Sequence, residues 1–311
     1  MRVAISGSSG LIGTALAESL RADGHQVQRL VRSQPASSPA SGDAGAIAWD
    51  PVAGTIDAAA LEGLDGVVHL AGAGVGDKRW TEARKRVVLD SRTEGTGLLA
   101  QTLAALDAPP RVFVSGSAIG YYGDGGDTVL TEDSPHGEGY LANLVIAWEQ
   151  AAQPAREAGI RTVLARTGIV LSKRGGALPK MLPLFRFGLG GPFGSGSQWM
   201  SWITLADEVA ALRFLLDGGA DGVDGPVNLT APQPVTNKDF AKALGRAMHR
   251  PALLPVPKFG PKLMLGGQMA DEMLFFSQRI RPAALEGAGH DFLHPDLDAG
   301  LAAVLAEGSS S

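Results

Sequence analysis

The sequence predicts an α/β protein with a doubly wound parallel sheet and a second, smaller, discontinuous α+β domain. Three observations support this fold class. Short β-branched runs alternate with amphipathic helical patterns, a glycine-rich loop joins the first run to the first helix, and the alternation ends after residue 167. Because strands that alternate with helices form parallel sheets covered on both faces, the alternation predicts the doubly wound arrangement.

The predicted strands are short apolar runs bounded by turn residues. They cover residues 2–6, 26–31, 46–49, 66–70, 111–115 and 161–167. After the first strand, Ile12, Leu16 and Leu20 recur at helical spacing, which predicts a helix packed on the sheet. Later helices are predicted over residues 205–216 and 237–249, the second of which opens with a capping box.

The change of pattern after the last predicted strand divides the chain into two domains. We expect residues 1–171, together with the helix at about 202–217, to form a Rossmann domain that binds NADP(H). Residues 172–201 and 218–307 are expected to form the smaller substrate domain, and residues 308–311 a frayed tail. Ligands of such folds bind beyond the carboxyl ends of the strands, so we expect a cleft there between the two domains.

Composition excludes several classes of protein. The 27 basic residues against 32 acidic residues give a net charge of −5, which disfavours binding to nucleic acid. The absence of cysteine rules out disulfides and thiol nucleophiles, and the histidines show no metal-ligand spacing, so we expect no metal. No signal peptide and no run of apolar residues long enough to span a membrane is apparent, which predicts a cytoplasmic protein with no membrane partner. The oligomeric state is left open.

The loop Gly7-Ser8-Ser9-Gly10-Leu11-Ile12-Gly13 follows the first strand and opens the first helix. In such a loop the first glycine allows a tight turn, the second lets a pyrophosphate approach the backbone, and the third lets the helix pack on the sheet. We therefore predict dinucleotide binding through Gly7, Gly10 and Gly13, the alternative being a purely structural glycine loop. The other predicted cofactor contacts in this loop are Ser9, Leu11 and Ile12.

The end of the second predicted strand indicates which dinucleotide binds. An NAD-selective site usually places an acid there to hold the ribose 2′-hydroxyl, but this chain has Arg32 and Ser33. A cation and a hydroxyl suit the 2′-phosphate of NADP(H), which is our prediction for the cofactor. The alternative is a solvated surface arginine.

A second segment of small residues follows the strand at 66–70. Leu70, Ala71 and Gly72 are predicted to lie on the cofactor side, because the dinucleotide must approach the backbone there. His69 lies inside the same strand, where a core residue and a catalytic residue are both conceivable.

Several blocks of the chain resemble one enzyme family. They are the glycine loop, WDP at 49–51, HLAG at 69–72, SR at 91–92, SGSAIGYYG at 115–123, WE at 148–149, RTG at 166–168 and GLGGP at 188–192. The blocks QRIRP at 278–282 and GHDF at 289–292 resemble an appended C-terminal domain. The chain is thus similar to the extended and atypical short-chain dehydrogenase/reductases, in particular the nucleoside-diphosphate-sugar-epimerase-like subgroup, also called cell-division-inhibitor-like. The resemblance also implies cofactor contacts at Arg92, Ser115 and Ile169.

The family's usual active site is a Tyr-x-x-x-Lys pair with a Ser and an Asn, and this chain departs from it. Ser117 matches the serine and Tyr140 falls near the tyrosine, but Leu144 stands where the lysine is expected and Arg92 where the asparagine is expected. Without the lysine, a phenol near its reference pKa of about 10 is a poor base at neutral pH. The candidate catalytic residues are Ser117, Arg92 and Tyr140, and Arg92 could instead contact the cofactor, an anionic substrate or a surface partner.

The predicted function is an NADP(H)-dependent oxidoreductase or epimerase that acts on a small or nucleotide-linked substrate. The alternative is a non-catalytic NADP(H)-binding sensor or regulatory protein. The missing lysine favours the alternative, whereas Ser117 and the second domain favour an enzyme.

Overall fold

An eight-stranded sheet forms the centre of the computed structural model, which describes residues 1–32, 45–218, 222–252 and 254–307. In chain order the strands are β1 Arg2–Ser6, β2 Gln26–Arg32, β3 Ala46–Asp50, β4 Thr55–Ile56, β5 Gly66–His69, β6 Val112–Ala118, β7 Val129–Leu130, β8 Arg161–Thr167, β9 Ile169–Leu171, β10 Trp199–Met200, β11 Trp202–Thr204, β12 Gly225–Leu229, β13 Val235–Thr236 and β14 Arg279–Ile280. The order in the large sheet is β12-β8-β6-β5-β1-β2-β3-β4. All its neighbours are parallel except β3 and β4.

Helices connect the strands. They are α1 Leu11–Ala22, α2 Glu82–Ala104, α3 Tyr140–Ala151, α4 Gln153–Glu157, α5 Leu178–Arg186, α6 Leu205–Asp217, α7 Asn237–Ala247, α8 Phe259–Leu265, α9 Gly267–Ala270, α10 Ala283–Gly287 and α11 Leu297–Ala306. A π-helical turn, Asp271–Phe275, follows α9. No described helix is both long and apolar enough to cross a bilayer.

Helices cover both faces of the large sheet, which confirms the predicted α/β fold class. On one face, side chains of β1 such as Ile5 pack against α1 and α6 through Leu16 and Leu212. On the other face, Phe113 of β6 packs against α2 and α4 through Leu99 and others. Since successive residues of a strand point to opposite faces, strands covered on both sides must be apolar throughout, as β1 and β5 are.

The C-terminal part of the chain has a core of its own. Trp202, Phe240, Leu244 and Leu301 are buried together between α7, α11 and the short strand β11. The predicted capping box is present, because the Thr236 hydroxyl accepts the N–H of the third residue of α7 at 3.1 Å. These helices build the smaller domain beside the large sheet.

Two details of the fold differ from the sequence-based expectations. The strand predicted over 111–115 runs over Val112–Ala118, so the parallel pairing of β6 with β8 extends to the end of both strands. Strand β12 lies within residues 218–307, which were assigned to the smaller domain, yet it pairs with β8 at the edge of the large sheet. The division into domains itself stays a prediction. Ser33 and the tail at 308–311 lie outside the described residues.

Candidate cofactor and substrate site

Parallel strands end at the same edge of the sheet, which we call the carboxyl edge, and the helices that follow them begin there. The helices α1, α2 and α3 follow β1, β5 and β6 respectively, and these three strands are neighbours. The candidate site is therefore built from the glycine loop, the loop after β5 and the N-terminal turns of α2 and α3.

Close backbone packing explains two of the three glycines in the glycine loop. Gly7 has a φ of +67°, and a Cβ there would lie 2.7 Å from the carbonyl carbon of Leu70. A Cβ on Gly13 would overlap the carbonyl oxygen of Gly7. Side chains at these positions would separate β1 from β5 or α1 from the loop, so both glycines are required by the fold.

Gly10 is different, because the space beside it is open. A Cβ there would meet a single protein atom within 4 Å, the Gly7 carbonyl oxygen at 3.2 Å. Gly10 is also the N-cap of α1, and no side chain caps the helix there. Since an uncapped helix N-terminus offers free N–H groups and partial positive charge, the arrangement fits a pyrophosphate bound over Gly10, Leu11 and Ile12. Ser9, in the same loop, is exposed.

Ser6 joins the ends of β1 and β5. Its Oγ accepts the N–H groups of Leu70 at 3.2 Å and Ala71 at 3.3 Å, and it lies 2.6 Å from His69 Nδ1. His69 is fully buried and meets the Trp49 ring edge-on. Burial, reinforced by the charge of Arg92, lowers the pKa of His69 to about 4, so the ring is neutral. His69 is thus a core residue that shapes the loop.

Three other predicted cofactor contacts differ in their exposure. Arg32 is the last residue of β2 and is exposed at the carboxyl edge, one strand away from the glycine loop. Ile169 begins β9 and is partly buried, and its N–H donates to the Ser201 carbonyl at 2.9 Å. Ser115 is fully buried within β6, where its hydroxyl donates to the carbonyl of Gly116 at 3.3 Å. Arg32 is the most accessible of the three.

Ser117 belongs to a buried ionic network. Its hydroxyl donates to Glu149 Oε1 at 2.6 Å, and Glu149 receives two further hydrogen bonds from Arg166, at 2.8 and 2.9 Å. Glu149 lies on α3 and Arg166 opposite Ser117 on β8, so the network ties α3 to the sheet. In this structure the Ser117 proton is engaged by a carboxylate, and a catalytic role for Ser117 stays a prediction.

The network continues into the C-terminal domain. Arg166 Nη1 donates to the Tyr122 hydroxyl at 2.9 Å, and that hydroxyl donates to Asn228 Oδ1 at 2.8 Å. Asn228 Nδ2 in turn donates to the carbonyl of Arg281 at 3.0 Å. Burial raises the pKa of Tyr122 to about 12 despite the charge of Arg166. For Arg166, hydrogen bonds and charge from Glu149 outweigh burial and raise the pKa, so the guanidinium stays charged.

Arg92 lies beneath the loop that follows β5. Its Nη1 donates to the carbonyl of Ala73 at 2.8 Å and to that of Val88 at 3.1 Å, and its guanidinium stacks 4.9 Å from the Trp148 ring. A Cβ on Gly72 would lie 3.3 Å from Arg92 Cζ, so the glycine lets the loop pass closely over the guanidinium. Arg92 is 9% exposed and is no surface arginine.

Tyr140 is the first residue of α3 and faces α2. Its hydroxyl donates to the carbonyl of Lys85 at 2.9 Å, and its ring meets Trp80 edge-on. Leu144, one turn on, is buried and supplies no charge. Burial raises the pKa of Tyr140 although Arg92 and Arg84 lower it, so the phenol is protonated at neutral pH. The structure brings Tyr140 close to Arg92, whereas Ser117 is engaged elsewhere.

The C-terminal domain covers this part of the site. The Glu272 carboxylate accepts the N–H groups of Tyr140 at 3.1 Å and Leu141 at 2.8 Å, which caps α3. A Cβ on Gly76 would lie 3.2 Å from Met273 Cε, so the loop after β5 also touches the π-helical turn. The cleft expected between the two domains is thus bounded by residues 72–76 on one side and 266–276 on the other.

Sequence reasoning did not single out Glu272 or Arg84, and it noted Glu149 and Arg166 only as parts of conserved-looking blocks of the resemblance. Glu272 contacts α3 across 132 residues of chain, so no local pattern could indicate the pairing. For Arg84, its place two turns before Arg92 on the same helix was an available signal. Among the described residues, no group of three or more His, Asp or Glu side chains could hold a metal ion.

Comparisons with known proteins agree with this geometry. A model of the NAD dependent epimerase/dehydratase family matches residues 3–229, and a model of a domain of unknown function, DUF1731, matches residues 256–304. An epimerase family protein from Mycobacterium bovis is 47% identical over 94% of this chain and 93% of its own length.

Two solved structures are also similar. The human epimerase family protein SDR39U1, solved with NADPH, superimposes with a TM-score of 0.86 at 37% identity, over 98% of this chain and 99% of that one. A nucleoside-diphosphate sugar epimerase from Corynebacterium glutamicum has a TM-score of 0.77 at 36% identity, over 98% of this chain but 58% of that one. The resemblance inferred from the sequence is confirmed: the chain belongs to the NAD dependent epimerase/dehydratase family, as an atypical short-chain dehydrogenase/reductase with a C-terminal DUF1731 domain.

Proposed function

We propose that this protein is an NADP(H)-dependent oxidoreductase or epimerase that acts on a small or nucleotide-linked polar substrate. One observation carries the proposal: the open space over Gly10 at the uncapped N-terminus of α1, with Arg32 exposed one strand away at the same edge. A pyrophosphate suits the helix N-terminus and a 2′-phosphate suits Arg32. The NADPH in the human relative supports this choice of cofactor.

A bound nicotinamide would supply or accept the hydride, and the residues of this chain would orient the reactants. The N–H groups at Leu11 and Ile12 would hold the pyrophosphate in place. The loop after β5 is kept rigid from below, because Arg92 binds the carbonyl of Ala73 while Ser91 Oγ accepts its N–H at 3.0 Å. The C-terminal domain, through residues 266–276, would keep water away from the substrate.

A second candidate is a non-catalytic NADP(H)-binding sensor, and one observation favours it. The Tyr140 hydroxyl donates to the Lys85 carbonyl, and no lysine follows it one turn later on α3, so the usual proton donor is engaged. A sensor would bind NADPH without oxidising it. Incubation with NADPH deuterated at C4 and a panel of carbonyl compounds separates the two functions, because only an enzyme transfers the label to a product.

Titration of NADPH and NADH by calorimetry tests the choice of cofactor. Loss of the charge-assisted hydrogen bonds in Arg32→Ala should weaken NADPH binding by roughly 10- to 150-fold and leave NADH binding nearly unchanged. Arg111→Ala is a matched control, because Arg111 is an exposed arginine at the opposite edge of the sheet, just before β6. An unchanged ratio of NADPH to NADH affinity in Arg32→Ala would refute the assignment of the 2′-phosphate to this residue.

A further inference from the structure

Two arginines of α2 converge on the loop that follows β5. Arg84 Nη2 donates to the carbonyl of Gly74 at 2.5 Å, and Arg92 Nη1 donates to the carbonyl of the preceding residue, Ala73, at 2.8 Å. Their side chains are largely buried, the Arg84 side chain being 16% exposed and the Arg92 residue 9%. Two like charges are therefore held under adjacent peptide groups.

The described part of the chain does not neutralise these charges. The carboxylate nearest to Arg84 is that of Asp77, which lies 3.8 Å away and is 66% exposed, and Arg92 has no carboxylate within ion-pair distance among the described residues. A buried charge without a partner is costly, and an exposed partner is screened by water. Stacking of Arg92 on Trp148 supplies partial compensation only.

Hydrogen-bonding capacity is also unused. The Nε atoms of Arg84 and Arg92 are both buried, and neither has a hydrogen-bond partner among the described residues. Unsatisfied buried donors are rare in proteins and commonly mark a place where a ligand binds. The neighbouring phenol of Tyr140 is also aimed at this helix, and the like charge of Arg84 lowers the pKa of Arg92, in addition to the larger effect of burial.

We propose that Arg84 and Arg92 form a binding site for the anionic group, a carboxylate or a phosphate, of the substrate. The proposal rests on the proposed function, since it places this anion at the carboxyl edge beside the cofactor cleft. The site lies next to β5, away from Arg32 at the end of β2, so it is separate from the site proposed for the 2′-phosphate. It assigns the substrate to the class of small organic acids or phosphate esters.

The proposal can be tested with two probes, malonate and inorganic phosphate, titrated by calorimetry into the protein saturated with NADPH. Saturation blocks the anion sites that the cofactor itself would use. We expect one anion to bind per chain, and Arg84→Gln and Arg92→Gln each to weaken that binding by roughly 10- to 150-fold. Tighter binding of malonate indicates a carboxylic acid substrate, and tighter binding of phosphate indicates a phosphate ester.

The control is Arg86→Gln, which removes the same charge from an exposed position of the same helix. Because Arg92 also holds the loop, thermal denaturation must show that each variant is folded, and Arg84→Gln alone suffices for the test if Arg92→Gln is not. The proposal is overturned if no anion binds, or if Arg84→Gln binds it as well as Arg86→Gln does. Failure of NADPH to bind the wild-type protein would instead refute the proposed function, and the anion titration of the free protein would still report on the arginines.

Discussion

The carboxylate of Glu272 accepts the backbone N–H of Tyr140 at 3.1 Å, so a residue of the C-terminal domain caps a helix of the nucleotide-binding domain. Gly139, the N-cap residue of α3, has no side chain with which to do this. The negative charge also lies where the helix dipole is positive. The orientation of Tyr140 and the position of the C-terminal domain are therefore coupled.

Replacement of Glu272 should weaken this coupling. We expect Glu272→Ala to lower the free energy of unfolding by about 1–2 kcal/mol through loss of the cap and its charge, and Glu272→Gln to lower it less. Denaturant unfolding measures the change. Arg174→Ala, which removes an exposed ion pair with Glu18, is the control and should cost less than about 1 kcal/mol. Equal effects of Glu272→Ala and Arg174→Ala would contradict the capping role.

A side chain at Gly10 should prevent cofactor binding without unfolding the protein. The protein backbone leaves that position open, so the Gly10→Val side chain would fill the space proposed for the pyrophosphate. We expect NADPH binding to disappear and the circular dichroism spectrum to be preserved. Gly97→Val, at an open position of α2, is the control. A folded Gly10→Val protein with wild-type affinity would show that this loop does not hold the phosphates.

Tyr140→Phe should retain most of any hydride-transfer activity. The phenol is protonated at neutral pH and donates to the Lys85 carbonyl, so it is poorly suited to act as the base. Loss of that hydrogen bond should cost about 1 kcal/mol of stability. We expect Ser117→Ala and Arg92→Ala to reduce activity more than Tyr140→Phe does. A loss of about 10²–10⁴-fold in Tyr140→Phe, the range of a general acid or base, with the other two near wild type, would reverse this assignment.

Breaking the ion pair between Glu149 and Arg166 should be strongly destabilising. The Arg166 side chain is 4% exposed and that of Glu149 10%, so Glu149→Gln leaves a buried guanidinium without its counterion. The expected cost is about 3–5 kcal/mol. Asp65→Asn, which removes the more exposed partner of Arg111, is a control for the loss of one carboxylate. A cost near that of the control, measured by denaturant unfolding, would mean that water or a rearrangement compensates Arg166.

The fully buried Glu208 should make stability depend on pH. Burial raises its pKa to about 8, although a hydrogen bond from the Thr167 hydroxyl acts in the opposite direction. The folded protein then retains a proton that the unfolded chain releases above a pKa of about 4.3, so stability falls as the pH rises between these two values. In Glu208→Gln this contribution is absent.

The test compares unfolding free energies of the wild type and Glu208→Gln at several pH values, because the other titrating groups cancel in the difference. Between pH 5.5 and 7.5 the difference should shift in favour of the variant by up to about 1.4 kcal/mol per pH unit. A difference that does not change with pH would show that Glu208 is ionised in the folded protein.

The features that the sequence determined by itself are local in the chain. The glycine loop between β1 and α1, the strand at Arg161–Thr167 and the cap of α7 each depend on residues within a few positions of one another. Propensity, turn geometry and capping act over such distances, and they sufficed for the fold class and for the dinucleotide site.

Only the tertiary structure decided which side chains meet at the site. The edge strand β12 pairs with β8, Glu272 caps α3, and Arg84 joins Arg92 under the loop after β5. The first two contacts join residues that are far apart in the chain, and the third depends on where a loop passes over a helix. Such pairings are set by the packing of whole elements, whose register and approach no short pattern of residues specifies, because the same local pattern is compatible with many partners.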